Sequence, residues 1–476
     1  MLDLAENVVA VAWSERPDYG PTEPTTALEL PVGCVRTTAA LAVRRLLRTL
    51  NLDSHQFGTP SWNPLASLCP SGSRVVIKPN WVHERNRSGN GSDCLVTHTS
   101  VVEAVLQYVA ITEPHSIVVG DAPVQGCNFD SLRRDGGLDD LARQFQHRGV
   151  PLRIADFRST TLDGEDFGSP RRQMSRATDS FILFDLGPRS LLEPISSRSH
   201  AFRVTMYNPD RMAKTHRPGR HQYLVAREVI EADVVINLPK LKCHKKACVT
   251  GALKNLVGIN GNKEYLPHHR KGGADRGGDC YQGGSLLKLT AEELLDAANR
   301  AVSPRVQRAF ARLATLALRL ATSLGEDGNL EGSWFGNDTV WRTCLDLHRI
   351  LRYGRPDGTL ADQPQRTILS LTDAIIAGEG EGPLAPTPVP AGFLTAGLNP
   401  AAVEWVNTVL MGFDPSRIPL LAHAFDPDAA LSNFHPDSIV VVTDQGTTTP
   451  RELAQQVVRP FRPAHGWIGH CETVRP

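Results

Sequence analysis

The most basic stretch of the chain lies between Leu238 and Gly273. It contains seven lysines, three histidines and one arginine, against a single acid, Glu264. The 476-residue chain as a whole has 51 Lys and Arg against 51 Asp and Glu. Because the total charge is balanced, the positive excess is local, and it predicts a local anion site rather than a general attraction to nucleic acid or membrane.

This basic stretch divides into two parts that suggest different roles. Lys240 and His244 directly follow the apolar run "ADVVINLP", and we assign them catalytic roles. The next segment, "CVTGALKNLVGINGN", predicts a helix that begins after Gly251 with Lys254 one turn in. A helix N-terminus beside lysines favours anions, because free N–H groups and the helix dipole both attract negative charge. The later segment "LPHHRKGG" predicts a mobile lid over the site.

A second basic motif, "VVIKPNWV", follows an earlier apolar run and adds a lysine and an asparagine to the candidate site. Its lysine could bind a phosphate or a carboxylate, whereas the asparagine beside proline could equally belong to a turn. The residues that we predict to bind substrate are Lys78, Asn80, Lys254, Asn255, Asn260, His268 and His269.

Acidic residues stand at the ends of other apolar runs. Asp121 ends "IVVGD", Asp373 ends "LSLTD", and Glu379 lies in the loop "GEGEGP". Such carboxylates can transfer protons, bind a divalent cation through oxygen, or simply cap and turn the chain. We predict proton transfer by Asp121 or Asp373, and a Mg²⁺ or Mn²⁺ site formed by Asp121, Asp373 and Glu379 as a further possibility.

The apolar runs that precede these residues predict the elements that position them. "SRVVIKPN", "SIVVGDAP" and "ADVVINLPK" are apolar on both faces, as buried parallel strands are. Helical patterns such as "THTSVVEAVLQYVAIT" lie between them. This alternation predicts an α/β fold with a mainly parallel sheet flanked by helices. Ligands of such folds gather at the carboxyl ends of the strands, where the candidate residues lie.

One region interrupts the alternation and predicts a helical insertion. We expect residues 272–364 to form this insertion or subdomain, and residues 1–271 and 365–476 to form the α/β part. The second helix of the insertion spaces Arg305 to Arg319 so that four arginines lie near one face. A packed helix with a solvated arginine face is favoured over a membrane-binding helix, so we do not expect membrane contact.

Several protein classes are not supported by the sequence. The chain has nine scattered cysteines, which predicts reduced thiols and no iron–sulfur cluster. It has no basic leader and no uninterrupted apolar stretch of about 18 residues, so we expect a cytoplasmic protein. The motifs GxxxxGK[ST], GxGxxG and GxSxG are absent, so the common nucleotide-binding and hydrolase signatures do not apply.

Four motifs together resemble the family called domain of unknown function 362. They are "VVIKPNWV", "IVVGDAP", "INLPKLKCHKKACVTGALKNLVGINGNKEYLPHHRKG" and "LTDAIIAGEGEGP". The resemblance extends from Ser73 to about Phe425, and it implies a shared fold and pocket but no established reaction. Some members carry a ferredoxin-like module with CxxCxxC cysteines, which this sequence lacks, so no iron–sulfur role is implied.

Three functions remain open on this basis. The residues favour an enzyme that acts on a small phosphorylated or carboxylated substrate, by isomerase, lyase or transferase chemistry. The first alternative is a non-catalytic binding or electron-transfer accessory protein. The second is a peripheral membrane or assembly factor that uses the Arg305 to Arg319 helix.

Overall fold

The structure is a computed structural model that describes residues 5–22, 30–31, 34–164, 171–174, 176–328 and 330–473. Nineteen strands are present in these ranges. They are β1 (Val8–Trp13), β2 (Arg74–Pro79), β3 (Ser116–Asp121), β4 (Leu152–Asp156), β5 (Thr160–Leu162), β6 (Arg171–Gln173), β7 (Phe181–Asp185), β8 (Phe202–Arg203), β9 (His216–Arg217), β10 (Arg220–Ala226), β11 (Val234–Leu238), β12 (Lys240–His244), β13 (Cys248–Thr250), β14 (His269–Arg270), β15 (Thr367–Glu381), β16 (Ala385–Val389), β17 (Phe393–Gly397), β18 (Val440–Thr443) and β19 (Gly446–Thr448).

The same ranges contain twelve α-helices, besides short 3-10 helices. They are α1 (Thr38–Thr49), α2 (Thr99–Ala110), α3 (Phe129–Asp135), α4 (Leu138–His147), α5 (Pro209–Thr215), α6 (Arg227–Glu231), α7 (Leu286–Arg300), α8 (Pro304–Ser323), α9 (Val340–Tyr353), α10 (Pro400–Leu410), α11 (Pro419–Ala422) and α12 (Pro450–Gln455). None of the helices in the described ranges combines the length and apolar character that crossing a membrane requires.

A twelve-stranded mixed sheet forms the centre of the molecule. Its main path is β19-β18-β1-β17-β15-β11-β2-β3-β4. The neighbours from β15 through β11, β2 and β3 to β4 all pair in parallel. Their carboxyl ends therefore meet at one edge of the sheet. The α/β prediction is confirmed, as are the strands expected at "SRVVIKPN", "SIVVGDAP" and "ADVVINLPK".

Both faces of the sheet are covered, as the two-sided apolar runs require. Val75 and Ile77 of β2 pack into a core that also contains residues of α1 and α2. Val76, between them, points to the opposite face and joins a core that contains Leu347 of α9 and Tyr223 of β10. Because successive side chains of a strand alternate between faces, each buried strand contributes to both cores.

Strand β15 is fifteen residues long and extends beyond the edge of the parallel sheet. Its first half pairs with β11 and β17, and its second half pairs with β16 and β12. In that extension Lys240 of β12 lies opposite Asp373 of β15, and the register then shifts before Lys242 meets Gly378. The extension builds a wall above the strand ends.

The predicted helical insertion contains α7, α8 and α9, which differ in their packing. Helices α7 and α8 pack on each other through a small core that includes Leu295 and Ala314. Helix α9 instead lies in the main core, where Leu345, Leu347 and Ile350 are fully buried. The region thus consists of a peripheral helical pair and one helix that is integral to the α/β core.

Candidate functional site

A cavity of about 810 Å³ lies at the carboxyl ends of β2 and β3. It brings together seven of the residues predicted from the sequence, namely Lys78, Asn80, Asp121, His244, Lys254, Asn255 and His268. Other charged or titratable residues also line it, namely Arg87, Lys245, Lys246, Lys263, Glu331, Glu381 and His465. Cationic side chains therefore dominate the wall.

Lys78 and Asp121 form an ion pair at the floor of the cavity. Strands β2 and β3 are adjacent and parallel, so their last residues lie side by side. The Lys78 Nζ atom lies 2.7 Å from Asp121 Oδ1 and donates to Asn255 Oδ1 at 2.9 Å. The other carboxylate oxygen accepts from the backbone N–H of Trp81 at 2.7 Å. Burial lowers the pKa of Lys78, and the Asp121 carboxylate opposes this shift.

The backbone of the segment that follows β13 packs against the Lys78–Asp121 pair. We predicted an α-helix here, but Lys254–Ile259 form a 3-10 helix. The Asn255 side chain donates to the Lys78 carbonyl at 3.1 Å, which holds the tight turn against the strand end. A Cβ atom at Gly258 would lie 1.9 Å from Asp121 Oδ1 and 2.6 Å from Lys78 Nζ. Only glycine leaves room for the ion pair at this position.

Two lysines face the cavity without a counterion. The side-chain amino groups of Lys254 and Lys263 have no hydrogen-bond or ion-pair partner among the described residues. Burial lowers the pKa of Lys254, and it lowers the pKa of Lys263 to about 7, with the neighbouring Lys254 charge adding to the effect. Lys263 is not among the site residues predicted from the sequence. Its only signal was its position, one short turn after Lys254 in the same basic stretch.

Two of the histidines that line the cavity, His244 and His268, are held in opposite tautomers. His244 Nδ1 accepts from the backbone N–H groups of Lys246 at 3.0 Å and Ala247 at 3.2 Å, so its neutral ring carries the proton on Nε2. His268 Nδ1 lies 2.7 Å from the Leu266 carbonyl and must donate to it, so its Nε2 atom has a free lone pair. Burial and the surrounding lysines lower the pKa of both rings and keep them neutral. His244 is therefore a hydrogen-bond donor, and His268 is a proton acceptor.

Two other lysines of the wall are paired with acids. Lys245 Nζ lies 3.0 Å from Glu381, and both side chains are 43% exposed. Lys246 Nζ lies 3.5 Å from Glu331. Among the lysines that line the cavity, Lys254 and Lys263 in the interior are therefore the ones without an acidic partner in the described ranges.

The predicted catalytic residues Lys240 and Asp373 do not line the cavity. They form a separate, fully buried cluster in which Lys240 Nζ lies 2.6 Å from Asp373 Oδ2. The Tyr19 hydroxyl donates to Asp373 Oδ1 at 2.7 Å and accepts from Lys240 at 2.6 Å. The Tyr19 ring stacks on His98 at 3.9 Å and covers the cluster. The prediction placed both residues in one site with Asp121, and the structure separates them because Tyr19 closes over them.

The structure does not bring Asp121, Asp373 and Glu379 together, although we predicted a Mg²⁺ or Mn²⁺ site from them. The first two carboxylates pair with different lysines, as described. Glu379 accepts from the Arg459 side chain at 2.9 Å and from the Arg462 backbone at 3.0 Å. Each carboxylate is satisfied in its own surroundings.

Two further predicted residues support the wall from behind. The Asn260 side chain accepts from Leu224 N–H at 3.0 Å and donates to the Asn262 carbonyl at 2.8 Å, which fixes the local chain path. His269 is buried in β14, which pairs with β8. The segment predicted as a lid is thus part of the packed wall, with His268 facing the cavity.

Comparison with known proteins matches this chain to one family. The family model described as domain of unknown function (DUF362) covers residues 189–408. This match spans 220 of the 476 residues, so just under half of the chain is similar to the family. The matched DUF362 region contains His244, Lys254, Lys263 and His268, whereas the Lys78–Asp121 pair lies before it. The part of the cavity wall that carries these histidines and lysines therefore lies within the region that the DUF362 model describes.

Two individual proteins are also similar to this chain. Thylakoid-associated protein sll1697 of Synechocystis sp. is 25% identical over 386 residues, which are 79% of this chain and 77% of that protein. A crystal structure of a protein from Thermotoga maritima aligns with a TM-score of 0.28 at 10% identity. That alignment covers 68% of this chain and 51% of the other, so the chain spans about half the length of the solved protein.

Proposed function

We propose that this protein is an enzyme that binds a small phosphorylated or carboxylated substrate in the cavity. The observation that carries the proposal is the pair of cavity-facing lysines, Lys254 and Lys263, which have no counterion among the described residues. Burying uncompensated cations is costly, and an anionic ligand would remove that cost. The cavity volume is in the range that small-molecule sites occupy, roughly 300–1,000 Å³.

The two histidines support a proton-transfer reaction on the bound anion. The Nε2–H group of His244 would donate to a ligand oxygen, and the free Nε2 of His268 would accept a proton. Lys254 and Lys263 would hold the anionic group and stabilise negative charge that develops nearby. Isomerisation and elimination both need these elements, so we favour these two classes over group transfer.

Binding can be tested by calorimetry against a panel of sugar phosphates and dicarboxylates. Lys254→Met and Lys263→Met should each weaken binding by about 10- to 100-fold, because a hydrogen bond to a charged group contributes about 1.5–3 kcal/mol. The matched control is Lys245→Met, since that lysine is already paired with Glu381 at the rim. If both interior variants bind every ligand of the panel as tightly as the wild-type protein does, the anion-site proposal is wrong.

A separate variant distinguishes an enzyme from a binding protein. His268→Gln keeps a polar side chain but removes the ring nitrogen that would accept the proton. We expect this variant to bind the ligand found by calorimetry with little change and to lose turnover of it. Equal turnover by His268→Gln and wild-type protein would refute the catalytic role of His268. Binding without turnover in the wild-type protein would favour an accessory protein.

We propose binding to an anionic membrane surface as a second candidate function, on a separate region of the molecule. Helix α8 buries a stripe of alanines against α7, and next to that stripe it exposes Leu313, Leu316 and Leu320 by 50%, 54% and 48%. The arginines from Arg305 to Arg319 lie beside these leucines by helical spacing. Exposed leucines flanked by arginines suit a surface of anionic lipid. The name of the Synechocystis relative, which describes association with thylakoids, points in the same direction.

Vesicle flotation tests the membrane proposal. The protein should float with vesicles rich in phosphatidylglycerol and not with pure phosphatidylcholine, and Leu316→Gln with Leu320→Gln should abolish flotation. The matched control is Leu183→Gln, because Leu183 is similarly exposed, at 45%, on β7. Failure of the wild-type protein to float would refute this candidate. A stable dimer that is dissociated by the α8 variants would refute it as well, since a second copy would then cover the leucines.

A further inference from the structure

Three buried side chains of different chemistry meet outside the cavity. They are His269 of β14, Cys280 of the loop that follows, and Glu292 of α7. One ligand atom from each lies within 4.8 Å of the other two. The three residues are 11 and 12 positions apart, which is not the spacing of any of the sequence motifs considered above. Only the fold brings them together.

The polar atoms of this cluster are poorly satisfied. His269 is 3% exposed, and its Nδ1 atom has no hydrogen-bond partner in the part of the chain that the structure describes. Cys280 Sγ accepts from the Glu331 N–H at 3.2 Å, and Glu292 accepts from the Gly272 N–H at 3.0 Å. The unpartnered Nδ1 atom of His269 needs an explanation, because buried polar groups are nearly always hydrogen-bonded.

A metal-free hydrogen-bonded cluster explains these contacts only in part. The Cys280 thiol can donate to the Glu292 carboxylate, which would satisfy those two groups. The same arrangement leaves the Nδ1 atom of His269 without a partner.

We propose that His269, Cys280 and Glu292 bind a divalent transition metal, with Zn²⁺ preferred. Imidazole, thiolate and carboxylate are the ligands that Zn²⁺ takes in proteins, whereas Mg²⁺ and Ca²⁺ require oxygen ligands. Zinc–ligand bonds of about 2.0–2.3 Å place the ligand atoms roughly 3.3–3.8 Å apart. Small side-chain rotations would bring the present atoms, all within 4.8 Å, to that spacing. A water molecule would complete the tetrahedron.

The position of the cluster indicates a structural role for the metal. None of the three ligands lines the cavity, but His269 directly follows His268, which does. The backbone of Glu331, another cavity residue, donates to the Cys280 sulfur. Through Glu292 the metal would also hold α7. It would therefore tie the α7–α8 helical pair to the cavity wall that carries the proton-accepting histidine.

Metal analysis of the full chain, purified without chelators, tests this site. We expect about one zinc ion per chain by plasma mass spectrometry. His269→Gln, Cys280→Ser and Glu292→Gln should each reduce this content at least severalfold. The matched control is Cys34→Ser, since Cys34 is the least buried of the nine cysteines and lies far along the chain from the cluster. Wild-type metal content in all three variants would refute the site.

A spectroscopic measurement covers the case in which the variants do not fold. Wild-type protein stripped of metal and titrated with Co²⁺ should develop thiolate-to-cobalt charge-transfer absorption that saturates at about one equivalent. Absence of this absorption, together with no retained metal, would overturn the proposal. Because the ligands lie outside the cavity, loss of ligand binding in Lys254→Met would not affect the cobalt signal, so this proposal and the anion-site proposal fail independently.

Discussion

The molecule contains two buried lysine–aspartate pairs that look alike in sequence and differ in surroundings. In each, a lysine that ends or directly follows an apolar run pairs with an aspartate of another strand, at 2.7 Å for Lys78–Asp121 and 2.6 Å for Lys240–Asp373. The first pair lines the cavity, and the second is covered by Tyr19. The same local chemistry therefore serves a candidate site in one place and the stability of the fold in the other.

The difference between the pairs comes from what lies over them. The backbone at Gly258 packs against Lys78–Asp121, whose side chains are buried but form part of the cavity wall, and we call this the open pair. The hydroxyl and ring of Tyr19 occupy the equivalent space over Lys240–Asp373. An open pair can respond to a ligand, whereas a closed pair can only hold the chain. The predictions below test this distinction.

Breaking the closed pair should have the largest effect on stability. Lys240→Met leaves the Asp373 carboxylate buried without its cation, which costs about 3–5 kcal/mol of unfolding free energy. Urea denaturation followed by circular dichroism measures the loss. Lys78→Met should cost less, because Asp121 borders the cavity, where water can approach a carboxylate that has lost its cation, whereas Tyr19 covers Asp373.

The same two variants should rank in the opposite order when the loss of anion affinity is measured instead of the loss of stability. Lys78→Met should weaken anion binding in the cavity, and Lys240→Met should leave it unchanged under conditions where the protein remains folded. As a control, the double change Lys240→Met with Asp373→Leu should recover part of the stability, since no unpaired charge remains. A loss below about 1 kcal/mol in Lys240→Met would contradict the role assigned to the closed pair.

Adding a methyl group over the open pair should have the next largest effect. Gly258→Ala places a Cβ atom 1.9 Å from Asp121 Oδ1, so the pair must separate or the 3-10 helix must shift. We expect a loss of about 1–3 kcal/mol, typical of overpacking, and weaker anion binding. Gly328→Ala is the matched control, because that glycine also lines the cavity and its Cβ would meet nothing within 4 Å. Equal thermal midpoints for the two variants would show that the contact is not rigid.

The pH dependence of anion binding should follow the protonation state of the unpaired lysine Lys263. The pKa of Lys263 is about 7, below its value of about 10.4 in an unfolded chain. Lys263 is therefore charged below pH 7 and loses its charge as the pH rises through 7. Sulfate affinity should fall about tenfold between about pH 6 and pH 8, since sulfate itself keeps its charge in this range. Isothermal calorimetry measures the change.

Two variants sharpen the pH experiment. Lys263→Arg keeps its charge and should remove this part of the pH dependence, while Lys263→Met should bind weakly at every pH. The free energy of unfolding depends on pH with the opposite sign to sulfate affinity, because the unfolded chain binds more protons than the folded one between pH 7 and about 10.4. The contribution of Lys263 to stability therefore rises with pH across that window. A sulfate affinity that is equally pH-dependent in Lys263→Arg would assign the titration to another group.

The paired rim lysine should have the smallest effect. Lys245→Ala removes an ion pair with Glu381 that is 43% exposed on both sides, so the expected loss is below about 1 kcal/mol. Anion affinity should change less than twofold at physiological salt, because exposed charges are screened there. A larger loss of affinity, measured by the same calorimetry, would move the ligand position from the cavity interior to the rim.

The sequence predicted the strand ends well, for a physical reason. β-Branched runs that are apolar on both faces have few alternatives to a buried parallel strand. The predicted positions of β2, β3 and β11 therefore agree with the observed ones, and so do the strand-end positions of Lys78 and Asp121. The segment after β13 was less predictable, since its helix type depends on Asn255 reaching the strand end. Local patterns therefore identified the residues of the cavity floor, but not the shape of the turn above them.

Contacts between distant parts of the chain could not be predicted. Tyr19 is 354 positions from Asp373, and no local pattern indicates that it closes over that carboxylate. For the same reason Lys240 and Asp373 were assigned to the site. His269 was identified as a site residue, but its neighbours Cys280 and Glu292 lie on other elements and carry no recognisable spacing. Such groupings depend on the tertiary fold alone.

The opposite tautomers of His244 and His268 give the cavity a handedness. A molecule held by its anionic group on Lys254 and Lys263 must present an acceptor to one imidazole and a donor to the other. Its mirror image, held by the same group, would present these atoms to the wrong rings. We therefore expect the protein to discriminate between enantiomers of a chiral substrate, and the backbone around the two rings, rather than their side chains alone, to set that preference.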